Sequence, residues 1–263
     1  MGGFNEGLFH ALNSLVGRSW AIDSVIALSL DNIFVKAGPI GACFFYAWYL
    51  REDSPREGMR RRILLVTLLS LFLIAPLTKH LSESRLAPRP FLLSQQTWVL
   101  HDGRLDEGRR IEARPMQTGE MLKRSDALRE GRIDPNDLGS FPSDHAAFFI
   151  ALSLGIFLAS RRAGAIALAW TVFVTLASRI AAGMHWPVDI AAGAVIGAAV
   201  LAVLQWTFSG RWARLWDPIV GWCARYPGIA GAALFLLLLE AANTMQTLKR
   251  TLEIVSALAG RVL

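Results

Sequence analysis

Set Arg161 and Arg162 aside, and the stretch from Pro142 to Gly210 keeps Asp144, His145, Arg179, His185 and Asp189 as its ionisable residues. Each stands at the end of a long apolar run; Lys79 ends the run before them, with Arg89 close behind. Charge is costly inside apolar helices, so its collection at run ends needs a chemical reason. If successive helices alternate in direction, all seven side chains reach one layer: three cations, two imidazoles and two carboxylates. Two His and two Asp are potential metal ligands, but three neighbouring cations repel a divalent ion and attract an anion. No metal and no other cofactor is expected. Phe141-Pro142-Ser143-Asp144-His145 leads directly into an apolar run, so Ser143 or Asp144 is the natural N-cap, with backbone N–H groups turned to the pocket. Pro187 suits the first turn of the next helix and sets His185 at its mouth.

Lys79, Arg89 and Arg179, with Ser143 and Asp144 at a helix start, make a phosphate site. A phosphoryl group in transit spreads negative charge over its equatorial oxygens, and cations and N–H donors speed its transfer. His185 and Asp189 are one helical turn apart. The carboxylate can then accept from one imidazole nitrogen, fix the tautomer and aim the other nitrogen at phosphorus. His145 remains to protonate the departing oxygen as general acid. A lone histidine would read as a helix-end cap and a lone arginine as a snorkelling side chain. It is the joint placement that points to catalysis.

The elements that must position these groups are apolar helices. The chain has 263 residues, 53% of them hydrophobic, with a formal net charge of +6. Its apolar residues fall in uncharged blocks (Ile63–Thr78, Ala146–Ser160, Ala163–Ser178 and Ile190–Gly210) that reach membrane-spanning length with their ends included. Ala37–Leu50, with Lys36 at its edge, and Gly228–Met245, interrupted by Glu240, are further candidates. The expected fold is all-α, a polytopic membrane bundle of about six transmembrane helices. Trp48, Trp186, Trp206, Trp212 and Trp216 lie near block ends, where amphipathic rings suit the headgroup layer. Two cysteines, Cys43 and Cys223, are too few for a disulfide framework. The positive charge is explained by loop arginines, and no nucleic-acid partner and no obligate protein partner is inferred.

The chain reads as a single membrane domain over 1–263. Residues 1–31 are expected to form interfacial N-terminal helices, 80–141 an extracytoplasmic cap and 142–210 the core helices. Arginines at 51, 56, 60, 61 and 62, at 161 and 162, and at 211 and 214 fall on one side, whereas Ala182–Pro187 carries no Lys or Arg. The positive-inside rule puts the arginine loops in the cytoplasm and the site outside; Lys249 and Arg250 run against it. Ser94–Gly139 mixes both signs of charge and reads as a water-facing insertion, with a helix over Thr118–Glu130 stopped by Gly131. A turn follows at Asp134-Pro135-Asn136-Asp137.

The spacing resembles the type 2 phosphatidic acid phosphatase superfamily, shared by membrane lipid phosphatases, soluble acid phosphatases and vanadium haloperoxidases. Ser178-Arg179, five residues, His185, three residues and Asp189 match its third motif at every fixed position. Pro142-Ser143-Asp144-His145 matches the second, Pro-Ser-Gly-His, with Asp for Gly. The first motif, Lys, six residues, Arg-Pro, is stretched: nine residues separate Lys79 from Arg89-Pro90, and Arg85 is a possible substitute cation. The resemblance implies a metal-free phosphohistidine intermediate on His185, oriented by Asp189, with His145 as acid. Lys79, Arg89, Ser143 and Arg179 would hold the phosphate. Leu12-Asn13-Ser14-Leu15, Ala21-Ile22-Asp23 and the Pro-Ser-Asp-His-Ala form are similar to bacterial undecaprenyl-diphosphate phosphatases of the bacitracin-resistance type. That implies a hydrolase of cell wall biogenesis in the bacterial inner membrane, acting on a membrane lipid phosphate. Phosphatidylglycerophosphate, phosphatidic acid or a lipid A phosphate are the other substrates to weigh, and a lipid phosphotransferase the other reaction. A transporter or scaffold with a decayed site would have lost the nucleophile or the acid, and both are present. The haloperoxidases are soluble, which sets them apart.

Overall fold

The computed structural model describes residues 2–51, 54–85, 87–95, 98–101, 104–107, 111–116, 119–134 and 137–242. Lys249, Arg250, the Pro135-Asn136 part of the expected turn and the end of the Gly228–Met245 block lie outside them.

The apolar blocks fold into a membrane helix bundle around α7 (Asp144–Ala159). This helix has apolar residues on every side and packs against α4 (Ser54–Glu83), α8 (Arg161–Trp170) and α10 (Pro187–Thr207). Protein shields most of it, with Ala146 through Phe149 and Ile156 buried and Leu158 exposed near its end. Helices in lipid gain little from hydrophobicity against one another and associate through close packing and interhelical hydrogen bonds. Gly193 and Gly197 supply the first on α10: a Cβ at Gly197 would come within 2.0 Å of the Ala147 carbonyl oxygen, and one at Gly193 within 2.2 Å of that of Ser143. The Ser153 and Thr171 hydroxyls, 2.8 Å apart, and the Gln205 amide, donating to the Ile63 carbonyl at 2.9 Å, supply the second.

The α8 helix continues through a π-helical stretch, Thr171–Leu176, into α9 (Ala177–Ala181), giving one apolar run from Arg161 to Ala181. Together with α4 and α10, that makes three helices long and apolar enough to cross a membrane. Two bent pairs, Trp20–Asp31 (α2) with Ile33–Tyr49 (α3) and Trp212–Arg225 with Pro227–Glu240, reach the length only together. The described residues thus hold three candidate crossings, or up to five if each bent pair is one span, against the about six expected; α7 is apolar but shorter than a span. Large apolar side chains such as Phe173, Val195 and Trp206 face outward, the arrangement expected of lipid-facing surfaces. Since α4 and the run from α8 through α9 end at the site and α7 and α10 begin there, the arginines at 60–62 and 161–162 gather at the opposite end.

The N-terminal helices and the insertion fasten to the site end. Asn13, at the end of α1 (Gly2–Asn13), donates to the carbonyls of Ala181 at 2.8 Å and Arg114 at 3.0 Å. Asn5 accepts from the Val188 N–H at 3.0 Å. In the insertion, α5 (Pro90–Gln95) precedes a two-stranded hairpin, β1 (Trp98–His101) and β2 (Arg104–Glu107), which the sequence reading did not include. The expected charged helix is α6 (Gly119–Arg129), followed by Gly131 at φ 76°, a left-handed conformation that suits a helix stop. Asp31 accepts from the Glu120 N–H at 3.0 Å and so ties α6 to α2.

Candidate active site

Residues 87–89 lie parallel to 137–140: Ala87 N–H donates to Leu138 O, Ser140 N–H to Ala87 O and Arg89 N–H to Asp137 O, at 2.7 to 3.0 Å. This pairing carries Arg89 to the mouth of α10. There the chain turns sharply through Gly183, whose φ of 76° and tight approach to Phe91 suit a residue without a Cβ. A backbone bond from Ser143 N–H to Asp189 O, 3.1 Å, joins the start of α7 to the start of α10. The two histidine-bearing turns are thereby locked together.

The result is a cavity of about 430 Å³ lined by Lys79, Arg89, Asp144, His145, Arg179 and His185 among others. Both imidazoles therefore open on one space, as the alternating directions of the helices require. Arg179 is buried at 5% exposure, and its Nε has no hydrogen-bond partner among the described residues. A buried guanidinium with an unused donor calls for an anion.

His185 is 2% exposed. Its Nδ1 lies 3.0 Å from the Ser140 carbonyl oxygen and its Nε2 3.4 Å from Arg89 Nη1. A carbonyl only accepts and a guanidinium only donates, so the proton is assigned to Nδ1 and the Nε2 lone pair faces Arg89 on the cavity side. Asp189 Oδ2 is 3.7 Å from Nδ1, beyond hydrogen-bond reach, and accepts instead from Trp186 N–H at 2.8 Å. The expectation that Asp189 sets the tautomer is corrected on this point. A backbone carbonyl sets it, while the carboxylate caps its own helix and lies near the ring as a charge. Burial first, and the Arg89 guanidinium second, push the His185 imidazole below its ordinary value of 6.5. The shift favours the neutral ring, the form a nucleophile needs. The acid limb of the kcat/KM profile should accordingly lie below that of an ordinary imidazole. Arg89→Gln removes a cation and should move the limb upward, which phosphate-release assays across pH would register.

Asp144 does not sit as a phosphate ligand. Its Oδ1 accepts from His145 Nδ1 at 2.7 Å and from the His145 N–H at 2.7 Å, so it orients the second imidazole. Ser143 is the N-cap of α7, its buried hydroxyl accepting from Ala146 N–H at 3.3 Å. The expectation of free backbone donors at the two helix starts is corrected too. The His145, Ala146, Trp186 and Val188 N–H groups are occupied by Asp144, Ser143, Asp189 and Asn5. Side-chain cations, more than helix ends, make the site electropositive.

The stretched first motif has a visible consequence. Lys79 reaches only the rim, 53% exposed and 3.4 Å from Glu83 one turn along α4. Arg85 stacks over Phe141 and does not line the cavity. Arg89 is held by the Met184 carbonyl at 2.8 Å and by Asp137 at 3.3 Å. Two cavity-lining cations were not picked out from the sequence: Lys36 from α3 and Arg124 from α6. Arg124 pairs with Glu120 and Asp137, which links the insertion to Arg89. The signal for Lys36 was present, since it is a charge at the edge of an apolar block.

On the outer face of α9, Ser178 and Ala177 line an apolar groove of about 310 Å³ with Leu12, Ile22, Val25 and Phe173. Arg179, one residue on, lines the charged cavity.

Comparison with known proteins agrees with this arrangement. The family model described as the PAP2 superfamily matches residues 60–213. The bacitracin transport permease protein BcrC of Bacillus licheniformis is 40% identical over 80 residues, 30% of this chain and 37% of that protein. The match thus covers little more than a third of the relative's length. No solved structure matches the chain.

Proposed function

The chain belongs to the PAP2 superfamily, and from that membership and the cavity's chemistry we propose that it is a phosphatase acting on a membrane lipid phosphate. The supporting observation is the buried, unpartnered Arg179 donor in a cavity shared by two imidazoles and further cations. The His185 Nε2 lone pair attacks phosphorus in line with the leaving oxygen. The P–O bond breaks, and a proton from His145 goes to the departing oxygen. Positive charge on the phosphorylated ring is relieved by the Ser140 carbonyl at Nδ1 and by the nearby Asp189 carboxylate. Water then attacks the phosphohistidine, giving its proton to His145; the P–N electron pair returns to Nε2 and inorganic phosphate leaves. No step calls for a metal. Arg89 and Arg179, with Lys79 at the rim, meet the charge on the equatorial oxygens.

The favoured substrate is undecaprenyl diphosphate, hydrolysed to undecaprenyl phosphate for cell wall biogenesis. The Pro142-Ser143-Asp144-His145-Ala146 sequence supports this, and so does the bacitracin in the relative's name, given the resemblance to the bacitracin-resistance type. The apolar groove beside Ser178 offers the hydrocarbon tail a path one residue from Arg179. With arginine-rich ends in the cytoplasm, the site faces the periplasm or the outside of a bacterial plasma membrane. Phosphate release from undecaprenyl diphosphate, phosphatidylglycerophosphate, phosphatidic acid and lipid A tests the reading. Undecaprenyl diphosphate is expected to be turned over fastest, with inhibition by vanadate and indifference to EDTA. Activity lost to EDTA and restored by a divalent ion would refute the metal-free chemistry.

A further inference from the structure

Lys36 is a charge in the first turn of an otherwise apolar helix, and it lies outside the residues the family model matches. Its position is built. Trp170 Nε1 donates to the Val35 carbonyl at 2.9 Å, and Thr175 Oγ1 donates to the Lys36 carbonyl at 3.0 Å. Both donors belong to the run that carries Arg179, and Thr175 stands one turn before that residue. Asn32 caps the turn from outside, accepting from Phe34 and Val35 N–H. The side chain so anchored lines the charged cavity, which it shares with the carboxylates of Asp31, Glu120 and Asp144. Lys79, by contrast, is spent on Glu83 at the rim.

Its neighbours give the side of the cavity. The charges acting on His145 are, in decreasing order, Arg179, Asp144 and Lys36, whereas those acting on His185 are Arg89, Asp189 and Arg179. Lys36 therefore stands on the side of the acid, where the leaving group departs, and Arg89 stands at the nucleophile.

We propose that Lys36 is the core of a second anion subsite, which holds the lipid-side phosphate of a diphosphate substrate while the terminal phosphate is transferred to His185. The proposal rests on the phosphatase reading above and deepens it. When the P–O–P bridge breaks, the leaving group is a lipid monophosphate that gains negative charge, and an ammonium beside it lowers the barrier. A substrate with one phosphate has nothing to place there. Lys36 would then select diphosphates over monophosphates.

The test compares the purified full chain with Lys36→Met and Lys36→Arg, on a polyprenyl diphosphate and the monophosphate of the same tail. Loss of one charge-assisted contact corresponds to about 10- to 100-fold. Lys36→Met should lower kcat/KM by that factor for the diphosphate and by less than about threefold for the monophosphate, with Lys36→Arg retaining most of the diphosphate activity. Inorganic pyrophosphate should lose potency as a competitive inhibitor of Lys36→Met by a similar factor, with inorganic phosphate little changed. Equal losses on both substrates, or none, would overturn the subsite. Wild-type protein active on the monophosphate alone would overturn the subsite and leave the phosphatase reading standing. Release of phosphate from neither lipid would overturn both.

Discussion

His185→Ala is expected to lower phosphate release by about 10⁴-fold or more while helical content and elution as a single species stay those of the wild type. The size follows from the role. Without the ring there is no covalent step, and the cations can only position a substrate for direct attack by water. The fold should survive, because the helices are held by α4, α7 and α10 contacts that His185 does not make. Its removal does orphan the Ser140 carbonyl, so His185→Gln, which can offer an amide donor there, is the companion variant. Both should be equally inactive. A His185→Gln protein with substantial turnover would assign the chemistry elsewhere.

The second large effect is expected at His145. Loss of a general acid costs about 10²–10⁴-fold, and the cost depends on the leaving group. With a lipid alcohol or phosphate departing, His145→Ala should lie toward the upper part of that range. With p-nitrophenyl phosphate, whose phenolate leaves without protonation, the loss should shrink by at least about tenfold. Asp144→Asn should follow the same pattern more mildly, since its carboxylate fixes the His145 ring through Nδ1. Equal losses on good and poor leaving groups would make His145 a binding residue.

Much of this architecture is legible in the residues. The uncharged blocks became the bundle helices, Gly131 ended α6, Ser143 capped α7, and His145 and His185 met because their helices begin at the same end. What escaped the sequence has identifiable causes. The Ser140 carbonyl that fixes the His185 tautomer is a backbone group, and any residue type could have supplied it. Asp189 has the right spacing to reach His185, yet its own helix start claims the carboxylate first. Asp144 looked like part of an anion cradle because the helix start was read without its side-chain partners. Lys36 and Arg124 come from segments far apart in the chain. The Trp170 and Thr175 bonds to α3, and the Asp31 bond to α6, help to bring them to the cavity. The three-residue stretch in the first motif hid the retreat of Lys79 to the rim, since spacing alone cannot show that Glu83 would take it.

The central claim is that an imidazole takes the phosphoryl group onto nitrogen. Rapid quenching of the enzyme into alkali, after mixing with lipid diphosphate labelled with ³²P in its terminal phosphate, tests it directly. Alkali-stable, acid-labile label on the peptide that contains His185, absent from His185→Gln, is the expected result. Label that alkali removes, label on another residue, or turnover with no labelled protein at any quench time would contradict the account.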